Sequence, residues 1–89
     1  MAEILFEWDE ANVEHIARHG YDPDEVEEVF EGKFKIRKGR ESAYICYGST
    51  LDGRLAFIVF KRFGGARIRV ITARDMEDNE RRTYRRNNL

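Results

Sequence analysis

The feature that most constrains this chain is a change of period in its apolar pattern at residue 33. Before that point apolar residues recur three and four apart, and after it they alternate with polar ones. The first spacing lines one stripe of a helix and the second lines one face of a strand, so the chain reads as helices followed by a sheet.

Ile4-Leu5-Phe6-Glu7-Trp8 is a short apolar run ending at Asp9, a good N-cap residue, and predicts a strand feeding directly into a helix that runs to His19. Val13, Ile16 and Ala17 share one face of that helix, and Gly20 falls where a left-handed C-cap is wanted. Asp22 as N-cap, Pro23 at the first helical position and Glu25 three residues after the cap announce a second helix with a capping box. Its buried stripe is Val26, Val29 and Phe30. Phe34 and Ile36 then alternate with Lys33, Lys35 and Arg37 as a strand with one wet face, and 43–47 make the next strand. Asp52-Gly53 signals a hairpin, 55–60 is apolar on both faces and belongs mid-sheet, and 67–72 is a further β-branched strand after the Gly64-Gly65 turn. Asp75 can cap a last helix from about Met76 to Arg86, which must stay at the surface because Met76 and Tyr84 are its only sizeable apolar residues. The expected fold is α+β: two N-terminal helices packed on an antiparallel sheet, with a basic C-terminal helix at its edge or other face.

Eighty-nine residues suit a single domain over 1–89. The lone Cys46 excludes an intrachain disulfide and points to a reducing compartment. No apolar run approaches the roughly 20 residues of a membrane span, and no basic-then-apolar leader opens the chain, so a cytoplasmic protein without a membrane partner is expected.

The net charge of −1 conceals a sorting of charge along the chain. Residues 1–31 hold eleven acids and one base, whereas residues 32–89 hold fifteen bases and six acids. The acids in the first turn of the second helix suit the positive end of its dipole. The basic half points to an acidic partner, nucleic acid above all. Arg67 and Arg69 share a strand face and Arg74 follows at the strand end, so three planar forks suited to phosphate oxygens stand at the rim of one surface. A solvated face paired with nearby acids is the competing reading. In the last helix Arg81, Arg82, Arg85 and Arg86 recur at helical spacing, with Glu80 and Tyr84 four apart. A carboxylate, a phenol and several cations are the parts that metal-independent RNA cleavage needs: a base for the 2′-hydroxyl and positive charge for the transition state. An intrahelical salt bridge is the plainer role for Glu80.

His15 and His19 are four apart on one helix, but nothing completes a metal-ligand set around them, and no cofactor motif is present. Cys46 lies within an apolar strand and reads as a packing thiol. Trp8, Tyr21, Tyr44 and Tyr47 are suited either to stacking on bases or to the core.

Three stretches together resemble one family. Phe6-Glu7-Trp8-Asp9 opening a helix that closes in His19-Gly20, then Asp52-Gly53-Arg54 before an apolar strand, then 67–74 with Glu80-Arg81 and Tyr84 downstream, are similar to the BrnT ribonuclease toxins of bacterial type II toxin–antitoxin systems. The resemblance implies a fold like that of the RelE toxins, RNA cleavage without metal or other cofactor, and a cognate BrnA-type antitoxin that binds DNA. It also implies that Glu80, Arg69, Arg74, Arg81 and Tyr84 form the catalytic set, with Arg67, Arg82 and Arg85 as further RNA contacts. A homodimer is an additional partner arrangement open to so small a chain. One position departs from the pattern: these toxins commonly carry a Lys in the first helix shortly after the Trp-Asp pair, and residues 10–14 here are Glu, Ala, Asn, Val and Glu. The alternative reading is a non-catalytic relative that binds RNA or protein through the same basic surface.

Overall fold

The computed structural model describes residues 3–87. Its elements follow the expected order: β1 (Leu5–Glu7), α1 (Glu10–Ala17), α2 (Pro23–Glu31), β2 (Phe34–Lys38), β3 (Ala43–Ser49), β4 (Leu55–Phe63), β5 (Arg67–Asp75) and α3 (Asp78–Asn87). The fold is α+β, with one five-stranded sheet ordered β1-β5-β4-β3-β2.

Both predicted caps form. Asp9 and Asp22 each accept a hydrogen bond from the backbone N–H three residues on, and the side chains of Asn12 and Glu25 return the bond. These reciprocal bonds satisfy N–H groups that a helix start leaves unpaired. Gly20 adopts φ +81°, the left-handed C-terminal stop of the first helix. That helix ends at Ala17 rather than His19, and its inward residues are Ile16 and Asn12, with Ala17 exposed. The buried Asn12 is accounted for: its Nδ2 donates to the carbonyls of Glu7 and Val70, 3.0 Å each, stapling α1 to β1 and β5.

The expectation of an antiparallel, RelE-like sheet following two N-terminal helices is corrected: the expected strand ahead of the helices, β1, belongs to that sheet and pairs with β5 in parallel, Phe6 opposite Ile68, so the sheet is mixed. Two further differences lie at the ends of strands. β4 and β5 run on to Phe63 and Asp75, and Asp75 closes its strand instead of capping α3. The helix start is served by Glu80, whose side chain accepts from the Glu77 N–H at 2.8 Å.

Ile16, Val26, Val29, Phe30, Cys46, Ile58, Phe60 and Val70 form the core between α1, α2 and one face of the sheet. Tyr21 joins them at 2% exposure, its hydroxyl donating to Asp75 at 2.8 Å. Arg54 braces the same corner: it lies 3.9 Å over the Tyr21 ring and donates to the Gly20 carbonyl, Glu25 and Asp75. Gly48 is obligatory, because a Cβ there would stand 2.7 Å from Val29 Cγ1. Cys46 is buried with its thiol pKa pushed up to about 12 by burial, which fits a packing role.

Candidate functional site

The face of the sheet opposite α1 and α2 carries the cations, and its layout follows from the register. One row across the strands reads Glu7, Arg69, Lys61, Ala43; the next Thr72, Val59, Ile45, Arg37; the third Arg74, Phe57, Tyr47, Lys35. Arg69 and Arg74 are five apart, an odd spacing that puts two residues on opposite faces of a regular strand. A register shift between β4 and β5 makes the difference: Val59 pairs with Thr72 and Phe60 with Val70, leaving Ile71 as the extra residue. This β-bulge turns Arg74 onto the same face as Arg67 and Arg69.

Arg74 and Glu80 are brought together. The guanidinium donates to both carboxylate oxygens, Nη1 to Oε1 at 2.9 Å and Nη2 to Oε2 at 3.0 Å, and lies 3.8 Å over the Phe57 ring. Only 16% of the Glu80 side chain is exposed. Burial pulls its pKa up, but the hydrogen bonds from Arg74 and the Glu77 N–H, with the charges of Arg74 and Arg37, outweigh that and hold it below the usual carboxylate value. Glu80 is therefore ionised at neutral pH. Arg37, across the sheet, sits 5.9 Å from the centre of the Tyr47 ring, which meets Phe57 edge-on at 5.4 Å. Burial raises the Tyr47 pKa, with Arg37 and Arg74 pulling the other way, so its hydroxyl stays protonated.

The remaining candidates are engaged elsewhere. Arg69 grips Asp9 through two bonds of 2.9 and 3.2 Å, tying β5 to the cap of α1 and holding the Asp9 pKa down. Arg69 and Arg74 pair with Lys61 and Phe57 of β4, four residues apart, so they stand roughly 13 Å from each other at about 3.3 Å per residue. Arg67 is exposed, 3.8 Å from Glu7. Arg81 bonds the Met76 carbonyl and Asp78, and Tyr84 donates to the Lys33 carbonyl at 3.2 Å, pinning α3 beside β2. Arg82 and Arg85 are exposed on α3. Arg69 and Arg74 thus both hold carboxylates, the pairing with nearby acids that the competing reading of this face describes.

Sequence reasoning misses Phe57 and Lys61 as site residues, and names Tyr47 only for stacking or the core and Arg37 only for a wet strand face; the sheet register alone sets Arg37 and Tyr47 near Arg74. Among the described residues no group of three His, Cys, Asp or Glu is arranged to hold a metal ion, and the His15 and His19 rings stand 5.7 Å apart by themselves. No helix among the described residues is long and apolar enough to cross a membrane.

Comparison with known proteins adds two findings. The 1.1 Å crystal structure of the Brucella abortus ribonuclease toxin BrnT shares the fold, with a TM-score of 0.66 at 23% identity, covering 84% of this chain and 96% of that one. No curated protein sequence matches. Residues 8–80 match the model of a family described as the ribonuclease toxin BrnT of type II toxin–antitoxin systems. That match takes in most of the chain, including Asp9, Arg54, Arg69, Arg74 and Glu80, and the chain belongs to the BrnT family.

Proposed function

We propose that this chain is the RNA-cleaving toxin of a type II toxin–antitoxin pair and that it acts without a metal ion in the cytoplasm. The observation that carries the reading is the bidentate Arg74–Glu80 pair, set beside Arg37 and Tyr47 on the face of the sheet opposite α1 and α2. An incoming RNA phosphate competes with Glu80 for the Arg74 fork, and the released carboxylate is already ionised and able to accept a proton from the 2′-hydroxyl. Arg74 and Arg37 then offset the charge that grows on the phosphate oxygens as the 2′ oxygen attacks. Tyr47, kept protonated by burial, supplies the proton to the departing 5′ oxygen.

Arg69 and Lys61 hold a neighbouring phosphate, with Arg67, Arg82 and Arg85 as outlying contacts. Arg81 and Tyr84 enter as positioning residues, because their side chains anchor α3. Membership in a type II toxin–antitoxin family implies an antitoxin partner; a DNA-binding protein of the BrnA type is proposed for that role. The second reading, a non-catalytic RNA- or protein-binding relative, is favoured by one observation: both Glu80 oxygens are already occupied by Arg74.

The test is incubation of the purified chain with RNA in excess EDTA. Cleavage that persists supports the proposal, and full inhibition reversed by added metal removes it. Binding without cleavage supports the second reading. About four to six phosphate contacts give log K against log salt a slope of roughly −3 to −4 for single strands.

A further inference from the structure

The face of the sheet that carries α1 and α2 is only partly covered. α1 and α2 have eight and nine residues, about 12 and 13 Å of helix, against a five-stranded sheet roughly 19 Å across. α1 packs on β5, and α2 on β3 and β4. What they leave open is an apolar groove of about 480 Å³ lined chiefly by Phe30, Phe34, Ile36, Tyr44, Phe60 and Ile68. Its outer wall is β2, the last strand in the sheet order, whose far edge pairs with no described strand. Ile36, in the middle of that wall, is 48% exposed.

An unpaired edge beside an apolar trough is built to accept one more strand, whose alternate side chains fill the trough. The charges decide which strand. β2 reads Phe-Lys-Ile-Arg-Lys, three cations and no acid, and Arg62 lines the groove at the hairpin end. A second copy of this chain pairing through β2 sets cation against cation, which disfavours self-association. Arg62 is the one cation among the described residues lining the trough, too little positive charge there to hold the polyanionic backbone of RNA. A strand alternating acidic and apolar residues satisfies all three features: backbone edge, trough and cations.

We infer that the β2 edge and its groove are the docking site for an extended acidic–apolar segment of the antitoxin. This inference rests on family membership and not on the cleavage reading. The apolar side chains of the segment fill the groove on the face opposite Arg74 and Glu80, and its acids, at the alternate positions, stand on the other face beside Arg37, at the rim of the proposed catalytic site.

Two short synthetic peptides, one alternating glutamate with valine and one alternating lysine with valine, test it against the full chain by NMR titration and amide hydrogen exchange. The glutamate peptide is expected to bind saturably, to slow exchange of backbone amides in 34–38, and to bind at least about tenfold more tightly than the lysine peptide. Ile36→Lys is expected to weaken the glutamate peptide at least about tenfold while leaving the fold and any RNA cleavage unchanged, because Ile36 is half exposed and on the other face. Equal affinity for both peptides, perturbation centred on Arg69 and Arg74 instead of β2, self-association through β2, or no binding at about 1 mM would each overturn the inference. RNA cleavage by the same preparation is read independently, so loss of one reading leaves the other standing.

Discussion

Arg74→Lys separates geometry from charge at the proposed site. Lysine keeps the positive charge but offers a point donor where arginine offers a planar fork. In the structure the fork makes two parallel bonds to Glu80 and stacks 3.8 Å above Phe57, with the side chains 30% and 16% exposed. One charge-assisted bond of about 1.5 kcal/mol, discounted by roughly half for partial solvent access, and a stacking contribution of about 0.5–1 kcal/mol together come to about 1–2 kcal/mol. Urea unfolding measures that loss directly. For cleavage, a mispositioned donor is expected to cost about tenfold to a hundredfold in single-turnover rate, less than the complete loss of such a donor. The salt dependence of RNA affinity should stay the same, because the charge is unchanged. Wild-type cleavage by the lysine variant would refute the bidentate role, and a stability loss above about 4 kcal/mol would make Arg74 chiefly structural.

Three further outcomes follow from individual contacts. Because the pKa of Glu80 is lowered from its ordinary 4.5, the stability it contributes is present above that value and lost as pH falls through the lowered one. Urea midpoints should therefore drop more steeply below about pH 4.5 in the native chain than in Glu80→Gln, and parallel curves would show that Glu80 is not responsible. Asn12→Leu removes two donors and leaves the Glu7 and Val70 carbonyls and the Asp9 N–H without their partner, so a loss of about 2–4 kcal/mol in urea unfolding is expected; under 0.5 kcal/mol would mean the staple is dispensable. Tyr47→Phe should slow cleavage by about tenfold to a hundredfold with RNA affinity intact, and an unchanged rate would assign the donor role to another group.

The two helices of the N-terminal half were legible because their signals are local: Asp9 and Asp22 as caps, Pro23, and the Gly20 stop all lie within a few residues of what they control. The strands were legible from their period, though their ends were not, since Phe63 and Asp75 extend β4 and β5 through pairing with each other's strand. β1 was legible as a strand, but its parallel pairing was not, because three residues carry no period and their partner lies some sixty residues away. The candidate site was legible in its residue types but not in its grouping. Whether Arg69 and Arg74 share a face depends on the bulge at Ile71, which no alternation announces. Glu80, on an arginine-dense helix, has as its partner a strand residue that precedes the helix, and Arg37 joins the site only through three strand pairings. Tyr21, suited by sequence either to stacking or to the core, is buried with its hydroxyl held by Asp75 across fifty-four positions.

The central claim is that Glu80 is a working base and not merely the counter-ion of Arg74. Glu80→Gln retains the side chain's shape and removes its capacity to take a proton. RNA cleavage by this variant at neutral pH, with unfolding and RNA affinity measured on the same preparation, tests the claim most directly. The expected result is a fall of about a hundredfold or more in rate, with RNA binding preserved. Cleavage at the native rate would contradict the account.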